Sequence, residues 1–277
     1  MFSTDALVDA LTLEATAPDR FRATNLPAGH GVVFGGQLMA QAVVAGLQGL
    51  DGMTVKTVHT VFARSARPDD GVDIAVERIH AGRTFASSTV TISQGDRLCT
   101  RSTVLAHVDE PDLIRHADVP KGASRPESGD PVEGGPGRWE IRTPEGVDIS
   151  DPASVGPAEL DVWTRFVDAP ADSALSQALL AFASDGFLIG TAMRPHAGVG
   201  QSQAHTTLST GVVSHTLTYH EPFDAGEWLL LSHRSPYAGR GRSYGEAEVF
   251  RSDGQLVASF VQDAMIRPMP ADRGRPL

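Results

Sequence analysis

The order of apolar and polar positions divides the chain into a short list of elements that occurs twice. Met1 to Thr16 has acidic residues but no basic segment leading into an apolar core, so it is read as a short amphipathic helix rather than a signal peptide. Arg20 to Asn25 is read as a short strand, and Gly29 to Gly36 as a glycine-rich approach to a second helix. That helix, Gln37 to Leu47, is apolar nearly all round, which predicts burial. Four runs rich in Val, Thr and Ile follow: Val55 to Arg64, Val72 to His80, Thr84 to Ser93 and Leu98 to His107. Turn signals at Asp70-Gly71, Gly82 and Gln94-Gly95-Asp96 separate them and predict an antiparallel meander wrapped around the buried helix.

Between Val108 and Asp161 the composition shifts to Pro, Gly, Asp and Glu, as expected of a linker. Arg138 to Arg142 and Trp163 to Val167 then read as strands, and from Asp172 an apolar helix again precedes strands. The letters repeat as well. His59-Thr60-Val61 returns as His215-Thr216-Leu217, an offset of 156, and Ala81-Gly82-Arg83 as Ala238-Gly239-Arg240, an offset of 157. Gly95 and Leu98 correspond to Gly254 and Leu256. Short matches in one order at nearly one offset predict a duplicated α+β unit. The expected boundaries are 1–110 for the first repeat, 111–136 for the linker, 137–270 for the second repeat and 271–277 for a tail.

Composition narrows the class. At 41% hydrophobic and 21% charged residues the chain has an ordinary globular make-up. Its net charge of −11, with no dense Lys/Arg block, argues against nucleic acid and means that a polyanionic ligand needs a local basic pocket. The single cysteine, Cys99, falls in a predicted strand and cannot form an internal disulfide, and no cysteine-rich metal site is possible. No apolar run in the letters approaches the length of a membrane span, and a cytoplasmic location is the expectation.

Two polar residues stand among apolar ones. Leu175, Leu179 and Phe182 recur at helical spacing, and the same face presents Asp185 three residues later. A carboxylate there loses much of its water, which is costly without partners and suits a group that orients water or takes a proton. The competing reading is that Ser184 or Asp185 caps a short helix beginning at Gly186. Gln262 shares a strand face with Leu256, Ala258 and Phe260. It either ties two elements together or meets Asp185 around one water. Aligned through Leu98 and Leu256, its counterpart is Val104, so one site per chain is expected.

Longer motifs carry a resemblance. Phe182-Ala183-Ser184-Asp185 with Leu188, Ala192, Pro195 and His196 resembles the helix motif of the acyl-CoA thioesterase II family. Tyr219-His220-Glu221-Pro222-Phe223 with Glu227-Trp228-Leu229-Leu230 resembles its next signature, and Asp253 to Ser259 continuing through Val261-Gln262-Asp263 to Arg267 its closing one. Val33-Phe34-Gly35-Gly36-Gln37 and Gln41-Ala42 match in the first half. The resemblance implies a double hotdog fold, hydrolysis of acyl-CoA to free acid and CoA, no cofactor, and self-association. It further implies that an Asp, a Ser or Thr, and a Gln hold the attacking water, falling on Asp185, Val212 and Gln262. Valine cannot bond a water, so the hydroxyl is expected from Ser214, or from Thr210, on the same strand face by simple alternation. If neither serves, Asp185 and Gln262 hold the water alone, and turnover is weakened or aimed at a different ester.

The remaining candidates have plain explanations beside the chemical ones. A backbone N–H at Gly35 or Gly36 can stabilise an oxyanion, while a tight helix entry explains the glycines equally well. Arg240 and Arg242 can meet CoA phosphates or decorate a solvated turn. His59, His215 and His220 read as structural, and their spacing implies no metal. Two other functions remain open: a hotdog hydratase or dehydratase in which Asp185 and a histidine share a proton, and an acyl-CoA-binding protein without catalysis.

Overall fold

A computed structural model of the chain describes residues 3–26, 31–120, 126–131 and 139–269. The tail 271–277, part of the approach to the second helix and part of the linker lie outside the described residues. The first helix, α1 (Thr4–Leu11), starts where the Ser3 hydroxyl accepts the Ala6 N–H, and it buries Leu7, Ala10 and Leu11. It is shorter than the sequence suggests, because the chain turns into strand β1 (Glu14–Ala17), paired with β2 (Arg20–Ala23). Helix α2 (Gly35–Leu47) follows, then β3 (Thr54–Phe62), β4 (Val72–Ala81), β5 (Phe85–Gln94) and β6 (Arg97–His107), the expected meander.

The linker carries a two-residue strand, β7 (Asp130–Pro131), which pairs with β8 (Trp139–Thr143). The second unit continues through β9 (Glu159–Phe166), α3 (Ser173–Ser184), α4 (Leu188–Met193), β10 (Leu208–Tyr219), β11 (Leu229–Gly239), β12 (Arg242–Arg251) and β13 (Leu256–Pro268). The strands form one sheet in the order β1-β2-β4-β5-β6-β3-β10-β13-β12-β11-β9-β8-β7. All pairs are antiparallel, and β3 and β10 join the two units at the centre. Each unit wraps strands around its own helix, and α2 packs on α3 inside. The molecule is a double hotdog.

Buried surface between the helices holds the halves together. Phe182 of α3 meets Phe34 and Trp139 edge-on at ring distances of 5.0 and 5.2 Å, and Trp139 stacks on Phe166. The buried Gln177 amide accepts the Val55 N–H at 2.9 Å and donates to the Val55 carbonyl at 2.7 Å, tying α3 to β3. The helical stretch Ser173–Met193, 21 residues long, is apolar enough to cross a membrane by length and composition, contrary to the reading of the letters alone. Here 72% of its most apolar window is buried inside the protein, which is why it is so apolar.

The register between the halves shows which residues correspond. Strand β3 slips by one residue at Lys56 against β6, and β10 slips likewise at Val213 against β13. Matching the two slips places the His215–Gln262 pair on the Val58–Val104 pair. Val104 is therefore the counterpart of Gln262, as the sequence alignment has it. His59 is not the counterpart of His215: it lies on the opposite, exposed face and bonds Thr216 Oγ1 at 2.8 Å.

Candidate active site

Asp185 ends α3 as its C-cap, so its carboxyl sits where the chain leaves the core helix. It does not cap the next helix, since α4 has Phe187 at its N-cap and no side-chain cap bond. The residue is 8% exposed. Gln262, at 2% exposure on β13, donates through Nε2 to Asp185 Oδ1 at 3.0 Å. A helix-end acid and a strand amide thus converge from elements far apart in the chain.

His215, fully buried, completes the cluster, although its match to His59 in the letters reads as structural. Its Nδ1 lies 3.3 Å from Gln262 Nε2 and its Nε2 3.2 Å from Ser184 Oγ, while Ser184 Oγ donates to the Ala181 carbonyl at 3.0 Å. One assignment satisfies every contact. The amide's two hydrogens go to Asp185 and to Nδ1, so the ring is neutral with its proton on Nε2, facing Ser184. The ring stacks on Phe260 at 5.3 Å, and Phe260 meets His233 edge-on. His233 donates from Nδ1 to the Leu160 carbonyl at 2.9 Å, and burial drives its pKa down to about 4.

The amide oxygen of Gln262 is buried with no hydrogen-bond partner among the described residues. Buried polar atoms are rarely left so, and a bound water is the ordinary solution. The first turn of α2 supplies the other wall. A methyl group on Gly35 would lie 2.7 Å from Asp185 Oδ2, and one on Gly36 only 2.4 Å from the Phe182 carbonyl oxygen. Only glycine lets the α2 N-terminus come this close. No side chain caps that end, so the first backbone N–H groups of α2 and the positive end of its dipole lie uncapped beside Asp185.

The expected hydroxyl donors fall differently. Because Val213 is the extra residue, alternation reverses across it. Ser214 therefore faces outward, where its hydroxyl donates to Asp263 Oδ2 at 3.1 Å, and it does not reach the site. Val212 and Thr210 face inward, opposite Ala264 and Ile266. Arg240 and Gly241 form a two-residue turn with positive φ of 55° and 72°, and Arg242 donates to the Gly241 carbonyl. Both arginines are exposed, as in the solvated-turn reading. His220 bonds Ser259 at 2.9 Å on the outer face. Among the described residues, clefts of about 470 and 770 Å³ open in the surface, and neither of these is lined by Asp185 or Gln262.

Similarity to known proteins follows the same division into halves. The family described as acyl-CoA thioesterase N-terminal domain matches residues 23–107, and the acyl-CoA thioesterase C-terminal domain matches residues 113–266. Acyl-CoA thioesterase 2 of Haemophilus influenzae is 27% identical over 94% of this chain and 96% of its own length. The tesB protein of Mycobacterium avium subsp. paratuberculosis superposes with a TM-score of 0.83 at 26% identity, covering 96% of this chain and 100% of that one. A hot dog fold protein of Alicyclobacillus acidocaldarius, 20% identical, shares the fold with a TM-score of 0.76 over 98% of this chain and 99% of its own. With one domain match on each repeat, this chain belongs to the acyl-CoA thioesterase family.

Proposed function

We propose that the chain hydrolyses acyl-CoA thioesters with a water held between Asp185 and Gln262. The observation that carries this reading is the 3.0 Å contact between a helix-end carboxylate and an amide whose oxygen lacks a partner. A water in that corner gives one hydrogen to Asp185 and one to Gln262 Oε1. Its oxygen attacks the thioester carbonyl carbon as Asp185 takes the proton. The carbonyl oxygen becomes an oxyanion, for which the α2 N–H groups at Gly35 and Gly36 are the available donors. Collapse breaks the C–S bond. CoA leaves as a thiolate, a good leaving group, and the proton on Asp185 returns to the thiolate or to solvent.

The arrangement disfavours a hydratase. His215 Nδ1 stands 3.8 Å from Asp185 Oδ1, with the Gln262 amide bonded to both, and its Nε2 is engaged by Ser184. No ring nitrogen is left to share a proton with a substrate. The test is free-thiol release from a panel of acyl-CoAs, with Asp185→Asn as the control. The variant is expected to fall at least about a thousandfold, toward background. Unchanged release in that variant would refute the assignment, and enoyl-CoA hydration without thiol release would favour the hydratase. Self-association is part of the same proposal. Leu113 and Ile114, 97% and 78% exposed in the connecting segment, are apolar groups that a second copy can cover. Light scattering on the eluting protein reads the mass.

A further inference from the structure

Val212 leaves the water one hydroxyl short, and the sheet offers a replacement from the other side. Ala264 of β13 has two neighbours on the inward face, Val212 on β10 and Ser243 on β12. Both stand diagonal to Gln262, at the separation of about 7 to 8 Å between Cα atoms that such pairs have. Thr210 is one inward position further away, opposite Ile266, roughly 13 Å along β13 from Gln262. Ser243 is 4% exposed and lies on the buried, inward-facing side of β12.

Three further observations turn the site toward Ser243. Gln262 spends its NH2 group on Asp185 and His215, so its unpartnered oxygen is the other branch of the amide, directed away from the His215 ring. On the β12 side the residue opposite Gln262 is Gly245, and the place of its missing side chain is taken by Leu188, whose Cδ2 would lie 2.6 Å from a methyl there. Leu188 comes only three residues after Asp185, so one turn of chain closes the corner between Asp185, Gln262 and the start of β12. Finally, the position matching Ser243 in the first repeat is Ala86, opposite Ala106 on the same inward face. The hydroxyl is present only in the repeat that has the acid and the amide.

We propose that Ser243 is the third ligand of the hydrolytic water, donating its O–H where the family's hydroxyl at position 212 is absent. A water with partners at about 2.8 Å bridges groups some 5 Å apart, as side chains on diagonal neighbours can be. It accepts from Ser243 through one lone pair and attacks through the other. This rests on the thioesterase reading, and the experiment separates the two. Thiol release from one acyl-CoA is measured for the wild type, Ser243→Ala, Val212→Thr and the double variant, with thermal melting to confirm folding. Ser243→Ala is expected to lower kcat by about tenfold to a hundredfold at little cost in KM. Adding Val212→Thr to it is expected to restore most of that loss, which a packing defect at Ser243 would not allow. Ser243→Ala within twofold of wild type, or a loss that Val212→Thr leaves untouched, overturns the role of Ser243. No thiol release by the wild type from any acyl-CoA would instead end the thioesterase reading.

Discussion

The two repeats share a fold down to the slipped residue in the central strand, Lys56 in one and Val213 in the other, yet only one holds a site. At corresponding inward positions the first repeat has Val58, Val104, Val76 and Ala86, while the second has His215, Gln262, His233 and Ser243. The exchange is not one-way. The first repeat keeps a buried Thr60–Ser102 hydroxyl pair where the second has Leu217 and Phe260. That pair is closed on itself at 2.8 Å, whereas in the second repeat Gln262 reaches Asp185 and His215 holds the same amide. The helix ends differ too. The C-cap of α2 is Gln48, with no carboxylate, and Val104 fills the space against Gly46, where a methyl would lie 2.7 Å away. The second repeat adds α4, which packs over β12 beside the site. A polar side chain in a hotdog core becomes a site only when the helix beside it ends in a partner for it.

The largest effect should come from erasing that difference. Gln262→Val gives the second repeat the composition of the first. It is expected to lower kcat by about a hundredfold to a thousandfold and, because it strips buried Asp185 and His215 of their amide donor, to cost about 1 to 3 kcal/mol in urea unfolding without changing the fold. The reverse change, Val104→Gln, is expected to create no activity and to cost about 1 to 3 kcal/mol in urea unfolding, since its amide finds no acid at Gln48. Thiol release retained by Gln262→Val would break the comparison.

Much of this was legible in the letters. Helix α3 and the strands followed from periodicity, and Asp185 and Gln262 stood out because each is polar on an apolar face. Simple alternation misplaces the hydroxyl for a physical reason: one extra residue at Val213 reverses it, so Ser214 turns out and Val212 and Thr210 turn in. No signal in the sequence marks that slip. His215 was hidden by its match to His59, one residue out of register. Ser243 and Gly245 gave no local cue, because their meaning lies in what stands across the sheet and in the Leu188 side chain that fills the gap.

His233 should make the second repeat the acid-sensitive one. Its folded pKa of about 4 lies below the free imidazole value of 6.5, because burial penalises the charged ring. Above pH 6.5 neither state takes the proton and the stability is complete. As pH falls from 6.5 toward 4 the unfolded chain protonates first, and about 3 kcal/mol is lost, with no further loss from this group below 4. His233→Val, which copies Val76 of the first repeat, is expected to flatten that slope in urea midpoints measured between pH 7 and 4.5. An unchanged slope would show that other groups set the acid limit.

The smallest effect concerns what His215 does in place of Val58. If the ring fixes the Gln262 amide by accepting at Nδ1, an acceptor at that point is what matters, not a titrating group. The amide oxygen of an asparagine can occupy the place of Nδ1, whereas leucine offers nothing there. His215→Asn should therefore stay within about threefold of wild type in kcat. His215→Leu should lose about tenfold, because the amide hydrogen it frees is left unsatisfied beside Phe260 and the carbonyl oxygen is no longer held toward the water. A ring needed for proton transfer would show the opposite, with both variants equally impaired and the acid limb of the kcat profile removed in each. Wild-type activity in both the Asn and the Leu variant would reduce His215 to packing, and would leave Asp185 alone to orient the amide that separates this repeat from its twin.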